Sequence, residues 1–438
     1  MPVPKIDTKQ SKNRAAPLRQ PLVSNGFHKV TPKRPCRICH KPDWCGYATD
    51  ERTSICMRIS DGAKGTARNG GSIHVHRDAL LTYSPRNKTT LALPSIEIAP
   101  IEIRDAVYRE LISISPAQKY DRHLVDGADG LLSRGLLERE TRNYGALPPT
   151  QKERAQLARQ LRKFVIDKFS GYGRGYSYAG VIGIPGFWQD ANGIVQLWKP
   201  REYRMPMLVI PYKDDRGRIQ ACQLRLHKGD IPEGEKRYRW LASPLERRGC
   251  SSGTPIHFTF RPSSLSAGKT VVITEGALKA ETLVSLRPQV HAIATSGVSC
   301  SHEEIIKAAR TYNALIAFDS DHKTNPAVCR QLARLIAARE QDAPSRNRST
   351  TTKIVYWEGY KGIDDAAKAA NVTFTTLSIP EWFATLNGDP LGQVKKVWNE
   401  IGYQPFPVVT SISRTSQREL ANPDRRLRND LNTSHARP

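Results

Sequence analysis

The stretch "SAGKTVVITEGALKAETL", residues 266–283, contains two competing motifs. From the left, "GKT" resembles the end of a phosphate-binding loop. From the middle, "VVITEG" is a buried strand that delivers one glutamate, Glu275, to its tip. A P-loop requires G-x-x-x-x-G-K-[ST] between a strand and a helix. Here Ser263 stands where the first glycine belongs, and "GKT" precedes a strand instead of a helix. The helix N-terminus that cradles phosphate is therefore missing. The expectation is a turn at Gly268 and Lys269 leading into a strand that ends in Glu275.

Downstream, short apolar runs alternate with helical patterns. The strands read "TVVITEG", "QVHAIATSG", "ALIAFDSD" and "KIVYWEG", with helices beginning near Ala277, His302 and Asn325. That rhythm predicts a parallel sheet with crossover helices, an α/β fold. Ligands of such sheets bind beyond the carboxyl ends of the strands. The first strand brings Glu275 to that edge, and the third brings Asp319 and Asp321. Two carboxylates two residues apart share a face only while strand geometry persists. Together the three acids suit a hard divalent cation, Mg²⁺ or Mn²⁺, that keeps waters for phosphate oxygens. Solvated loop acids are the plainer alternative. In "GIDDAA", Asp364 and Asp365 either join the metal site or cap the next helix, and both readings stay open.

Upstream, "IEIRDAVYRELI" from residue 101 and "QKERAQLARQLRKFVIDKF" at 151–169 have helical apolar spacing. Glycine-rich "YGRGYSYAGVIGIPGF" leads into the strand-like runs "GIVQLWKP", "MPMLVIPY", "RIQACQLRL" and "KRYRWLA". These predict a mostly antiparallel α+β lobe over 101–265, ahead of the parallel sheet over 266–375. "IPEWFATL" and "LGQVKKVWNEIG" predict a helical appendix over 376–410. Polar, basic stretches at 1–30 and 411–438 read as disordered tails.

The chain has 438 residues and a formal net charge of +25. A chain this basic meets a polyanion, most often nucleic acid, unless the charge is only a solubility surface with basic tails. Arg225, Lys236, Arg237, Tyr238 and Arg239, followed by Trp240, interleave cations with aromatics, which suits phosphate tracking and base stacking. The alternative places Tyr238 and Trp240 in the core. No window nears the ~18 uncharged apolar residues of a membrane span. The N-terminus has no apolar signal region, so a cytoplasmic location is expected, where disulfides are rare.

Four of the eight cysteines cluster in "CRICHKPDWCGYATDERTSICMR". Cys36 and Cys39 form the tight pair of a zinc ribbon, within a domain at 31–83, and Cys45 and Cys56 complete four zinc ligands. His40, His74 and His76 compete for a place in that set.

These motifs resemble the Toprim domain of bacterial-type primases, topoisomerases and nucleases. Its hallmark is a glutamate after the first strand and Asp-x-Asp after the third, falling here on Glu275, Asp319 and Asp321. "YWEGYKGIDDAAKAA" resembles the later acidic segment of replicative primases, with Asp364 as the match. "LLSRGLLERE" (131–140), "LVIPYKDDRGRIQACQLRL" (208–226) and "KRYRWLASP" (236–244) resemble, in order, three segments of the primase core. The whole is most similar to primase-like proteins of phages, plasmids and mobile elements.

The resemblance implies a structural zinc ribbon contacting single-stranded DNA. It also implies nucleoside triphosphates as substrates, and Glu275, Asp319, Asp321 and Asp364 around magnesium. Glu275 serves there as ligand or acid/base helper. One departure stands out: replicative primases carry Asp four residues after the Glu, where this chain has Lys279. Near the metal edge, that lysine lowers the site's negative charge and is placed to touch a phosphate. A DNA-binding replication protein that does not polymerise and a metal-dependent nuclease are therefore competing readings. No helicase motor is visible in the sequence, so a replicative helicase, where one is used, would have to come from another chain.

Overall fold

The structure is a computed structural model. It describes residues 27–48, 53–59, 63, 65–67, 71–76, 96–171, 180–198, 203–231, 236–244, 246–342 and 350–405. The tails expected before residue 27 and after 410 lie outside the described residues, as does most of the connector at 84–100. Two compact units divide at residues 95 and 96.

The first unit is a small antiparallel sheet of β1 (Phe27–Lys29), β2 (Gly46–Ala48), β3 (Thr53–Cys56), β4 (Gly65–Thr66) and β5 (Ser72–Val75), in spatial order β1-β2-β3-β5-β4. It begins at Phe27, inside the stretch assigned to the tail. Its small core comprises Val30, Cys36, Cys45 and Cys56. Among the described residues this core is too small to offset the entropy of ordering the chain, and a cross-link would supply the rest.

The second unit starts with α1 (Ile101–Ile114) and, after β6 (Gly145–Leu147), α2 (Gln151–Lys168). Ile103, Val107, Tyr108 and Leu111 form the buried stripe of α1, at helical spacing. Thr150 caps α2 by accepting the Glu153 N–H at 3.2 Å. A hairpin of β7 (Phe187–Gln189) and β8 (Val195–Leu197) follows. Then β9 (Met207–Lys213), β10 (Ile219–Arg225) and β11 (Tyr238–Trp240) form an antiparallel sheet with β6, in order β11-β10-β9-β6. Strand alternation splits β9 between two cores. Met207 and Val209 face α1 and α2, while Leu208, Ile210 and Tyr212 pack on Ala277 and Leu278.

The remaining strands are β12 (His257–Phe258), β13 (Thr270–Glu275), β14 (Ala292–Thr295), β15 (Asn313–Ala317), β16 (Thr352–Tyr356) and β17 (Thr375–Leu377). They form one sheet in order β12-β14-β13-β15-β16-β17. The four inner strands are parallel, as the alternating pattern predicts, while β12 and β17 add antiparallel edges. The helices are α3 (Ala277–Leu286), α4 (His302–Ala308), α5 (Pro326–Gln341) and α6 (Ile363–Lys368), then α7 (Ile379–Ala384) and α8 (Gly388–Ile401). Val272 and Ala292 pack with Ala280 and Ala366 on one face. Val271 and Ile273 pack with Leu332, Ile336, Trp382 and Trp398 on the other. The predicted appendix is thus part of the main core: Trp398 donates to the Ala333 carbonyl at 3.1 Å.

Gly268 adopts φ 80° just before β13, so "GKT" is the expected turn and no P-loop. Across the lobe boundary, the 131–140 segment grips the parallel sheet. Ser285 donates to the Gly135 carbonyl at 3.3 Å, and Lys368 to the Ser133 carbonyl.

Candidate active edge and four-cysteine centre

Glu275 is the last residue of β13, and Gly276 turns the chain with φ 85°, a conformation that side chains resist. A Cβ at Gly276 would meet nothing within 4 Å, so the glycine serves the turn and not a close approach. The turn launches α3 and places Lys279 four residues beyond Glu275. The Lys279 ammonium lies 3.6 Å from Glu275 Oε1 and forms an ion pair with Asp319 Oδ1. The Asp319 backbone N–H donates to Glu275 Oε1 at 3.3 Å. Glu275 and Asp319 thus meet at the carboxyl edge of the sheet, with Lys279 between them.

Asp321 is positioned differently. Strand geometry stops at Ala317, and residues Ser320–Lys323 form a 3-10 turn, so the two-residue spacing does not put both aspartates on one strand face. Lys361 spans them instead, 3.9 Å from Asp319 and 3.4 Å from Asp321. Its loop is tied down where the Ser320 N–H meets the Lys361 carbonyl at 2.9 Å. Asp364 opens α6, is only 1% exposed, and pairs with Arg134 at 2.7 Å. One buried oxygen on Asp321 and one on Asp364, Oδ1 in each, has no hydrogen-bond partner.

Burial is the main cause that pushes Glu275 up to about 7, with Asp319 adding to it and Lys279 pulling back. Burial alone would lower Lys279, but Glu275, Asp319 and Asp364 outweigh it and hold the ammonium above its ordinary range. Lys279 is therefore a charged group. Two partnerless oxygens are what a bound cation would satisfy, but an ammonium already fills the space between Glu275 and Asp319. Those two carboxylates, as arranged, do not fit a divalent ion between them.

The basic strand sits near this edge through Asp129. Arg237 pairs with the Asp129 carboxylate, and Arg225 donates to the Asp129 carbonyl at 2.7 Å. Asp129 is held below its ordinary value because Arg237, Arg225 and Arg134 outweigh the effect of burial. Arg225 is 3% exposed, so its guanidinium organises this loop from inside. Lys236 is exposed, and Arg237, Tyr238 and Arg239 are half-buried. Trp240 meets Tyr212 edge-on at 4.6 Å, and Tyr238 packs on the same core. The packing of both aromatics follows the core alternative.

In the ribbon, the sulfurs of Cys36, Cys39, Cys45 and Cys56 all lie within 4.8 Å of one another. Among the described residues this is the one group of three or more potential ligands so arranged. Backbone N–H groups point at the sulfurs: Met57 to Cys45 at 3.4 Å and Ile59 to Cys56 at 3.3 Å. Arg58 lies 3.6 Å from Cys45 and 3.8 Å from Cys39, and pairs with Asp43 at 2.8 Å. Burial pushes the Cys45 and Cys56 thiols up against these donors, and Cys39 is held below its ordinary value, so it is a bound cation that would bring all four to thiolate, the zinc-binding form. The competing histidines are not in the group. His74 Nε2 meets the Ile59 carbonyl at 2.8 Å and His76 Nε2 meets Ser54 at 2.9 Å. The four sulfurs thus fit a tetrahedral structural zinc.

No family model matches the chain, and no curated protein matches it. Solved structures do match. One is the DnaG primase catalytic domain bound to ssDNA: 14% identity, 68% of this chain, 92% of that one, TM-score 0.43. Another is the Aquifex aeolicus primase, with zinc-binding and RNA polymerase domains: 14% identity, 69% and 68% covered, TM-score 0.44. A third is a DNA primase domain from Pseudomonas aeruginosa: 15% identity, 70% and 97% covered, TM-score 0.44.

Sequence reading missed the partners that hold this edge. Arg134 lies in the quoted "SRGLL" segment, yet nothing local marks it as the counterion of Asp364, 230 residues away. Lys361 carried no signal beyond standing in "YKGIDD". Among the described residues, no helix is long and apolar enough to cross a membrane.

Proposed function

We propose that the chain is a primase-like DNA-replication protein that joins nucleotides on single-stranded DNA at the Glu275–Asp319 edge. The observation that carries this reading is the meeting of Glu275, Lys279 and Asp319 at the carboxyl rim of the parallel strands. In open α/β sheets that rim is where ligands bind. The Toprim resemblance, with its three upstream segments in order, supports the same assignment.

The roles follow from the chemistry of the groups. In chain extension a 3′-oxygen attacks the α-phosphorus of a triphosphate, pyrophosphate leaves, and the hydroxyl proton needs an acceptor. Glu275, pushed up to about 7 by burial, is matched to that task near neutral pH. Lys279 neutralises charge on the phosphates, and Lys236, Arg237 and Arg239 line the path of the template. Asp364 and Arg134 hold the loop that flanks the edge. Zinc, on Cys36, Cys39, Cys45 and Cys56, supplies a structural cross-link to the ribbon. There Trp44, 68% exposed, offers a face for stacking a base, with Arg58 5.5 Å from its ring. A setting in phage or plasmid replication belongs to this reading through the resemblance, and a cytoplasmic location and a separate helicase partner go with it as parts of the proposal.

The ion pairs of Lys279 favour a second reading, a DNA-binding replication protein that does not polymerise. Labelled nucleotides on a single-stranded template, with Mg²⁺ or Mn²⁺ in the buffer, separate the two. A product ladder that Asp319→Asn and Asp321→Asn abolish, with DNA binding intact, supports primer synthesis. A bound, unchanged template establishes the second reading, and a degraded template indicates a nuclease. A ladder retained by both variants removes the roles given to the aspartates.

A further inference from the structure

We propose that Lys279 is the resident cation of the Glu275–Asp319 pair, standing where two such carboxylates would otherwise hold a divalent ion. The inference deepens the reading of this edge as the working site and rests on that reading only for its functional meaning. The strand-turn-helix unit delivers the charge covalently: Glu275 ends β13, Gly276 turns, and Lys279 rises from the first turn of α3. Its side chain is 20% exposed and touches both carboxylates.

Two further observations point to the same arrangement. Asp364, 1% exposed, places a further buried carboxylate on the Gly362 side of Lys279. Gly362 leaves room for both groups: a Cβ there would lie 2.4 Å from Asp364 Oδ1 and 3.5 Å from Lys279 Cε. Lys361 contrasts with this. It is 70% exposed and reaches Asp319 and Asp321 from solvent, so water screens it and an arriving ion displaces it. Divalent binding at this edge is therefore confined to the Asp321 side and does not use Glu275.

The test is Mn²⁺ binding to the zinc-loaded full chain, read by loss of the free-ion electron paramagnetic resonance signal. Wild type and Glu275→Gln are expected to bind Mn²⁺ equally. Lys279→Met removes the charge at similar length and should raise Mn²⁺ affinity at least about tenfold, since the Glu275 and Asp319 carboxylates lose their ammonium and become available as ligands. Adding Glu275→Gln to that variant should cancel the gain. Lys279→Arg, which keeps a cation, should show none.

A Glu275→Gln chain that binds Mn²⁺ more weakly than wild type overturns the proposal, as does a folded Lys279→Met chain with unchanged affinity. If Lys279→Met unfolds without Mn²⁺, recovery of its melting temperature in Mn²⁺ supports the proposal. If it stays unfolded, the wild-type and Glu275→Gln comparison decides alone. These readouts need no primer synthesis, so an inactive protein with the expected Mn²⁺ pattern refutes the polymerising function and leaves this inference standing.

Discussion

The four-cysteine centre and the acidic edge both look like metal sites in the sequence, yet the structure arranges them differently. At the cysteines, four ligand atoms converge within 4.8 Å, and Arg58 reaches them only through weak N–H···S contacts. At the edge, Lys279 sits between two of the acids, Lys361 spans two, and Arg134 holds Asp364. Ligand type and spacing therefore decide only half of a metal site. The other half is whether the fold brings its own counter-charge, because a buried carboxylate must be neutralised by something.

The largest effect expected from this contrast is loss of zinc. The ribbon core is too small to hold itself, and structural zinc contributes about 10–16 kcal/mol in zinc-finger peptides. Chelation, or Cys39→Ser, should abolish amide protection in strands β1 to β5 in hydrogen exchange. The helices after residue 100 should stay protected. A ribbon that keeps its protection without metal would place the cysteines beside Glu275 and Asp319, as groups that need no ion.

Next in size is Arg134→Met. Asp364 would keep a buried charge and lose its closest partner, which costs about 3–5 kcal/mol for buried pairs. Urea unfolding should show the drop. The double variant Arg134→Met/Asp364→Asn should recover much of it, because the orphaned charge is gone. A negligible effect of the single variant would mean that Lys279 alone neutralises Asp364.

The contrast also explains what was legible beforehand. Four parallel strands were readable because each is a short apolar run bounded by turn residues, and Glu275 and Asp319 fall where those runs end. The two antiparallel edges were not. His257–Phe258 and Thr375–Leu377 are too short for a periodic signal, and their pairing with β14 and β16 is a tertiary fact. At the site, the acids were visible by motif and Lys279 by its departure from it. Arg134, Lys361 and Asp129 were not, since their meaning lies in contacts that no spacing rule encodes. The alignment of Asp319 with Asp321 failed for a local reason: the strand ended two residues before Asp319.

Another acid, away from the edge, tests whether internal neutralisation is a general habit of this fold. Glu281 on α3 accepts from Lys213 of β9 at 2.8 Å and from His257 of β12 at 3.1 Å, so it ties the lobe to the parallel sheet. The His257 tautomer is determined by its neighbours. The Lys213 backbone N–H donates to Nδ1 at 3.0 Å, which leaves the proton on Nε2, facing Glu281. His257 is then neutral, in line with the downward push of its burial. Burial would raise Glu281, but the His257 hydrogen bond, the charge that this imidazole gains as the pH falls, and Lys213 outweigh it and bring the carboxyl to about 2.

A carboxyl with an ordinary value of 4.5 when unfolded and about 2 when folded stabilises the chain fully above pH 4.5. That contribution, about 3 kcal/mol at most, is lost as pH falls from 4.5 toward 2. Wild type should therefore exceed Glu281→Gln in urea stability at pH 7, and the gap should close as the pH approaches 2. Far-UV circular dichroism suits the measurement, because the described helices all lie after residue 100. A gap that is constant with pH would show that Glu281 acts by packing alone, and the edge around Lys279 would then be an exception instead of an instance.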